Sequence, residues 1–162
     1  MKRTILMLAA LAFVAAPVLA QSAKTDFSGS WSLNKEKSEI PQGGGGGGGR
    51  GMGPAEKLVI TQKGNELVVQ QGEQKYTLML DGTASEIPGM RGQPMNVKTK
   101  WDGPKLVVEG TATFEGQQGK VTVTRKDTWS LEDGGQTLVL DRVSTTPMGE
   151  RKVKAVYTKA TT

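Results

Sequence analysis

The chain has 162 residues, 21 Lys and Arg against 16 Asp and Glu, and neither histidine nor cysteine. That length suits one domain of roughly 100–200 residues, and the missing cysteines exclude disulfides, thiol nucleophiles, iron–sulfur clusters and cysteine-based zinc sites. The missing histidines remove the usual base at neutral pH, the Ser-His-Asp triad and the H-E-x-x-H metal helix, so composition favours a binding protein without a cofactor over an enzyme.

Lys2 and Arg3 precede an apolar run of 12 residues, Ile5 to Ala16, which Pro17-Val18-Leu19-Ala20 closes with small or aliphatic side chains. This is the pattern of a secretory signal peptide cut after Ala20, and the run falls short of the roughly 20 residues that a bilayer-spanning helix needs. No cysteine follows the cut to carry a lipid, and no later stretch is apolar enough to form a membrane span. The expectation is a periplasmic or secreted monomer in which residues 21–162 form one domain. Without its leader the chain keeps 19 basic and 16 acidic residues, scattered along its length and densest at Arg151-Lys152 and Lys154. A nucleic-acid partner would call for a basic patch interleaved with aromatics, and none is expected.

Strands dominate the rest. Runs of Val, Thr, Leu and aromatics alternate at period two, and Gly, Asp, Asn and Pro clusters divide them. The pattern predicts ten strands near 28–34, 56–62, 66–71, 74–80, 83–87, 95–101, 105–114, 120–131, 136–142 and 150–159. The connections sort into two sets. Lys63-Gly64-Asn65, Asp81-Gly82, Asp102-Gly103-Pro104 and Glu132-Asp133-Gly134-Gly135 read as tight turns. Segments 41–55, 88–94, Glu115–Gly119 and 143–149 read as longer, irregular loops at the opposite end, alongside a short Gly72-Glu73 turn. The predicted fold is therefore all-β, an antiparallel up-and-down barrel of 8–10 strands, closed at one end and open at the other.

Parity then assigns faces. Trp31 with Leu33, Tyr76 with Leu78 and Leu80, and Val97 with Thr99 and Trp101 point inward; Lys98 and Lys100 point outward. Val121, Val123, Arg125, Asp127, Trp129 and Leu131 share the inner face of one strand, as Val153, Ala155 and Tyr157 do on the last. Arg125 and Asp127 break the apolar rule. Two residues apart on one face, they stand about 6.5–7 Å from each other, and a buried charge asks for a partner. They fit either a structural pair or a clamp on an anionic ligand. Outward lysines and threonines also exclude an outer-membrane barrel, which needs an apolar outer band.

At its two ends the chain resembles a known group. Phe27-Ser28-Gly29-Ser30-Trp31-Ser32-Leu33 is similar to the F-x-G-x-W-x-L opening of the calycins, and Val156-Tyr157-Thr158-Lys159-Ala160 to the V-Y-E-K-A closing strand of their fatty-acid-binding branch. The resemblance implies a ten-stranded barrel that takes a small hydrophobic or amphipathic ligand. Two departures matter. Where that branch has a helix-turn-helix lid, this chain has a Gly-rich loop, 42–53, whose glycines oppose a helix. Where it has an R-x-Y carboxylate anchor, the arginine position is Ala155 beside the matching Tyr157. Exported bacterial lipocalin-like domains look nearer in kind.

Tyr76, Trp101, Arg125, Trp129 and Tyr157 are thus the candidate ligand-binding residues, with Trp101 and Trp129 fitting core and pocket wall equally. No catalytic and no metal residues are assigned. A second reading, from a different class, is a solid-cored interaction module of the envelope with no small-molecule ligand. A weaker third is Cu(I) held by thioethers, since Met52, Met90, Met95 and Met148 all fall in predicted open-end loops or beside them.

Overall fold

The computed structural model describes residues 24–41, 53–89, 93–116 and 119–160. The leader and most of the Gly-rich loop, with Met52 and Met90, lie outside them. All ten expected strands are present: β1 (Gly29–Leu33), β2 (Lys57–Lys63), β3 (Glu66–Gln71), β4 (Gln74–Met79), β5 (Ser85–Pro88), β6 (Pro94–Asp102), β7 (Lys105–Gly116), β8 (Gly119–Glu132), β9 (Thr137–Thr146) and β10 (Gly149–Lys159). The one helical turn among the described residues is a 3-10 turn at Asp133–Gly135.

The strands form a single antiparallel sheet in the order β4-β3-β2-β1-β10-β9-β8-β7-β6-β5. Every sequential neighbour pairs except β4 with β5, and β1 pairs β10, so the meander closes on itself. Strand β5 pairs β6 in the register Ser85↔Val97 to Pro88↔Pro94, which makes the weak Thr-Ala-Ser-Glu-Ile signal a true short strand.

Two junctions close the barrel, and they are built differently. At β1–β10 the ladder runs from Trp31↔Lys159 to Leu33↔Tyr157. Residues 35–37 then turn outward, and the Ser38 hydroxyl takes over the role of a strand backbone. It accepts from the Val156 N–H at 2.9 Å, after which Glu39 and Lys154 exchange backbone bonds of 2.8 and 3.0 Å. At β4–β5 there is contact but no ladder. Here the Met79 N–H donates to Ser85 Oγ at 2.8 Å, and Thr99 Oγ1 donates to the Met79 carbonyl.

The open end departs from expectation. Segment 143–149 is not an irregular loop: Val143-Ser144-Thr145-Thr146 continue β9, and Thr146 pairs Gly149 across a two-residue turn. β-branched side chains favour the pleated surface, and four further residues of β10 are there to pair with. Likewise β7 and β8 extend to Gly116↔Gly119, and β5–β6 to Pro88↔Pro94. Met95 is consequently a buried strand residue rather than part of the mouth, while Met148 is 97% exposed at a hairpin tip. These two environments give no shared thioether site.

One continuous core fills the barrel from the closed end upward, with Trp31, Leu67, Leu106, Trp129, Leu138 and Tyr157 among its fully buried members. The F-x-G-x-W opening plugs the base. Phe27 stacks with Trp101 at 6.2 Å and meets Trp129 edge-on at 6.0 Å, while the Trp31 indole N–H donates to the Phe27 carbonyl at 3.1 Å. Gln62 fastens this segment to β2, accepting from the Phe27 N–H at 3.1 Å and donating from its Nε2 to the Thr25 carbonyl at 3.0 Å. Higher up, Gly110 lets β7 lie against β6: a Cβ there would stand 2.5 Å from Val97 Cγ1 and 2.6 Å from the Asn96 carbonyl oxygen.

Candidate functional site

The alternation of β8 places Val123, Arg125, Asp127 and Trp129 on the inner face, and that of β9 places Leu138, Leu140 and Arg142 there. The register sets Asp127 directly opposite Arg142 and Arg125 opposite Ser144. A carboxylate thus meets two guanidiniums, one from its own strand and one from the neighbour. Arg125 Nε donates to both carboxylate oxygens of Asp127 at 2.9 Å, and its Nη2 also bonds Oδ2. Arg142 donates through Nε to Oδ1 at 2.9 Å and through Nη2 to Oδ2 at 3.1 Å. Forked arginine–carboxylate bonds of this kind are charge-assisted and orient both partners.

The electrostatics follow from burial. The Asp127 side chain is 2% exposed, and those of Arg125 and Arg142 are 17% and 16% exposed. Burial by itself pushes the Asp127 carboxyl up; the Arg142 and Arg125 charges and their hydrogen bonds outweigh it and hold the carboxyl at about 2. For Arg142 burial opposes the charge, and Asp127 more than restores it. One negative and two positive groups leave the cluster with a net single positive charge inside the barrel.

Tyr76 and Tyr157 lie in the field of this cluster. Burial raises both phenols, and the Arg142 charge works the other way on each; Arg125 also acts on Tyr76. Both are therefore neutral hydroxyls at ordinary pH. Among the described residues neither hydroxyl has a hydrogen-bond partner.

The five expected site residues are therefore placed differently. Arg125 belongs to the cluster, and Tyr76 and Tyr157 lie within its field, Tyr157 as a fully buried member of the core; Trp129, fully buried, and Trp101, partly buried, pack against Phe27 in the aromatic floor. Both floor indoles bury an Nε1–H that has no protein partner among the described residues. Arg142 is a site residue that sequence reasoning missed. Its signal was present, since it stands in phase with Leu138 and Leu140, yet it closed the predicted strand and was not placed on a face. Two open clefts border the cluster. One, of about 490 Å³, runs between residues 39–41 and β9–β10 and is lined in part by Arg142. The other, of about 470 Å³, lies on the outer face of the sheet among Glu109, Thr111, Thr124, Lys126, Val143 and Thr145, and touches Arg125.

Comparison with family models and with curated proteins gives no match. Among solved structures, the zebrafish ileal bile acid-binding protein complexed with cholic acid is similar, with a TM-score of 0.52 over 83% of this chain and 98% of that one, at 15% identity. The chain has the fold of that bile acid-binding protein. At this identity the likeness carries the architecture, a ten-stranded barrel with the chain ends paired, and not the residues of a ligand site.

Proposed function

We propose that the chain is an exported carrier of a small amphipathic anion, a hydrophobic body with one carboxylate or sulfonate, held at the Arg125–Asp127–Arg142 cluster. The observation that carries this reading is the imbalance of charge: two guanidiniums share a single buried carboxylate, in the field of two neutral phenols. An anionic headgroup neutralises the surplus charge, Tyr76 and Tyr157 orient it, and burial of its apolar body drives binding at about 25 cal/mol per Å². The fold shared with a protein solved with cholic acid, itself an amphipathic carboxylate, supports the reading. Export rests on the grammar of residues 1–20, and the absence of catalytic roles on the composition: the phenols stay neutral and the carboxylate is fully engaged.

Arg125→Ala tests this reading without emptying the interior of pairing. It leaves Asp127 and Arg142 as a neutral one-to-one pair, so the fold keeps its salt bridge and loses only the surplus charge. Affinity for dodecanoate is expected to fall by over about tenfold, the scale of one charge-assisted hydrogen bond. Titration calorimetry showing equal affinities would remove the cluster from the site. The second reading, a filled barrel working as an interaction module, draws on the packed aromatic floor. Native mass spectrometry of residues 21–162, offered a lipid extract, separates the two: a bound adduct supports the carrier, and a clean apo mass the module.

A further inference from the structure

We propose that Ser144 and Arg151 extend the anion seat toward the mouth, and that the barrel therefore takes a doubly charged headgroup, a phosphate or phosphonate monoester, in preference to a carboxylate or sulfonate. The inference rests on the carrier reading above and names the headgroup.

Arg151, Lys152 and Lys154 form the densest basic group of the sequence, and the strand divides them. Lys152 lies opposite Val143 and Lys154 opposite Asp141, on the outer face, while Arg151 lies opposite Ser144. Ser144 is in turn opposite Arg125. Arg125, Ser144 and Arg151 thus make one inward row across β8, β9 and β10. It adjoins the row of Asp127, Arg142 and Val153 on the side of the mouth. Opposite neighbours in such rows stand about 4.5–5.5 Å apart at Cβ and diagonal ones about 7–8 Å, so Arg151 is close to both Ser144 and Arg142. This seat is not the R-x-Y anchor, whose arginine position is Ala155, four residues further along β10.

The charges there do not balance. Above the floor, four charged side chains face inward from the described strands: Arg125, Arg142, Arg151 and Asp127. Three positive groups and one negative leave a surplus of two, where the cluster alone has one. The nearby carboxylates are directed elsewhere: Glu150 meets Lys152 at 3.2 Å, Asp141 lies opposite Lys154, and Glu39 beside β10 is exposed. Arg151 itself is half-buried and fastened at one point, where its Nη2 donates to the Pro41 carbonyl at 3.3 Å. Its Nε is buried without a partner among the described residues. The half-buried Ser144 hydroxyl has no partner among them either. A buried donor left unbonded is costly, and this one stands where positive charge is already in excess. A carboxylate or sulfonate answers the cluster and leaves Arg151 uncompensated. A phosphate monoester brings three terminal oxygens and, above its second pKa of about 6, close to two charges.

The test compares dodecyl phosphate with dodecanesulfonate, which is singly charged throughout, by titration calorimetry at pH 8 and pH 5. The chain has no histidine and Asp127 is held at about 2, so the inward charges of the seat are constant across this range and the guest alone changes. At pH 8 the phosphate is expected to bind about tenfold tighter than the sulfonate, the scale of one charge-assisted hydrogen bond; at pH 5 the two should agree within about threefold. Arg151→Gln should cost the phosphate about tenfold at pH 8 and the sulfonate less than about threefold, and Arg151→Lys should restore most of the difference. An unchanged urea midpoint shows that each variant is folded. If the two guests bind equally at pH 8, or Arg151→Gln weakens both alike, the seat is singly charged and the carrier reading stands without this extension. If the parent binds neither guest nor dodecanoate, the carrier reading fails, and the doubly charged seat with it.

Discussion

The floor and the polar layer of this barrel lie one turn of the alternation apart, with Trp129 and Asp127 two residues from each other on β8, yet they obey opposite rules. The floor is stabilised chiefly by apolar contact: Phe27 packs against the Trp101 and Trp129 rings, and neutral hydrogen bonds from Trp31 and Gln62 hold its segment in place. The layer above keeps charges out of water and depends on each partner being present. A hydrophobic floor loses stability in proportion to what is removed; a buried ion cluster gains little as a whole and loses much when broken. The difference teaches that the cluster is hard to explain as a stabilising device, which is why its surplus charge reads as function.

Removing a floor ring should have the largest effect. Trp129→Ala empties a fully buried site and is expected to cost about 3–5 kcal/mol, equally at pH 7 and pH 3, as read by urea denaturation. A cost that grew toward low pH would mean that the two layers are coupled rather than independent.

Acid should act on the upper layer alone. The Asp127 carboxyl is held at about 2 in the folded chain, below its ordinary 3.8. A depressed carboxyl contributes stability that is fully present above the ordinary value and is lost as pH falls through the folded one. The window therefore lies between about pH 4 and pH 2, and the loss is about 2 kcal/mol. Urea midpoints that stay flat across this window would contradict the ion cluster described.

The smallest effect sharpens the comparison most. Replacing all three members together, Arg125→Met/Asp127→Leu/Arg142→Met, should leave stability at pH 7 within about 1 kcal/mol of the parent or raise it. It should also abolish the acid window and the binding of dodecanoate. A collapse of several kcal/mol would show instead that the cluster is structural.

Much of this architecture was legible in the residues because alternation is a local property. Val121, Val123 and Trp129 declare the inner face of β8 with no knowledge of their neighbours, and the tight turns at Gly64 and Gly103 set the hairpins. Height within the barrel is not local. Trp101 and Trp129 point inward as surely as Arg125 does, but only the register with Leu106 and the docking of Phe27 put them in the floor. Arg142 was hidden for a related reason: Asp141-Arg142 looks like the polar end of a strand until Val143 and Thr145 are seen to pair onward. The unladdered β4–β5 junction was hidden more deeply still, since no pattern within β4 or β5 says that these two strands will fail to join.

The aromatic floor has one more consequence, an optical one. The chain has three tryptophans, and all three surround Phe27 in the same layer. Indole emission is therefore a signal of a single small region, the packing of the barrel's base, while the near-ultraviolet dichroism of Tyr76 and Tyr157 reports the neighbourhood of the charged cluster. An anionic guest without a chromophore would leave indole emission nearly unchanged, while one whose absorption overlaps that emission would quench all three rings together.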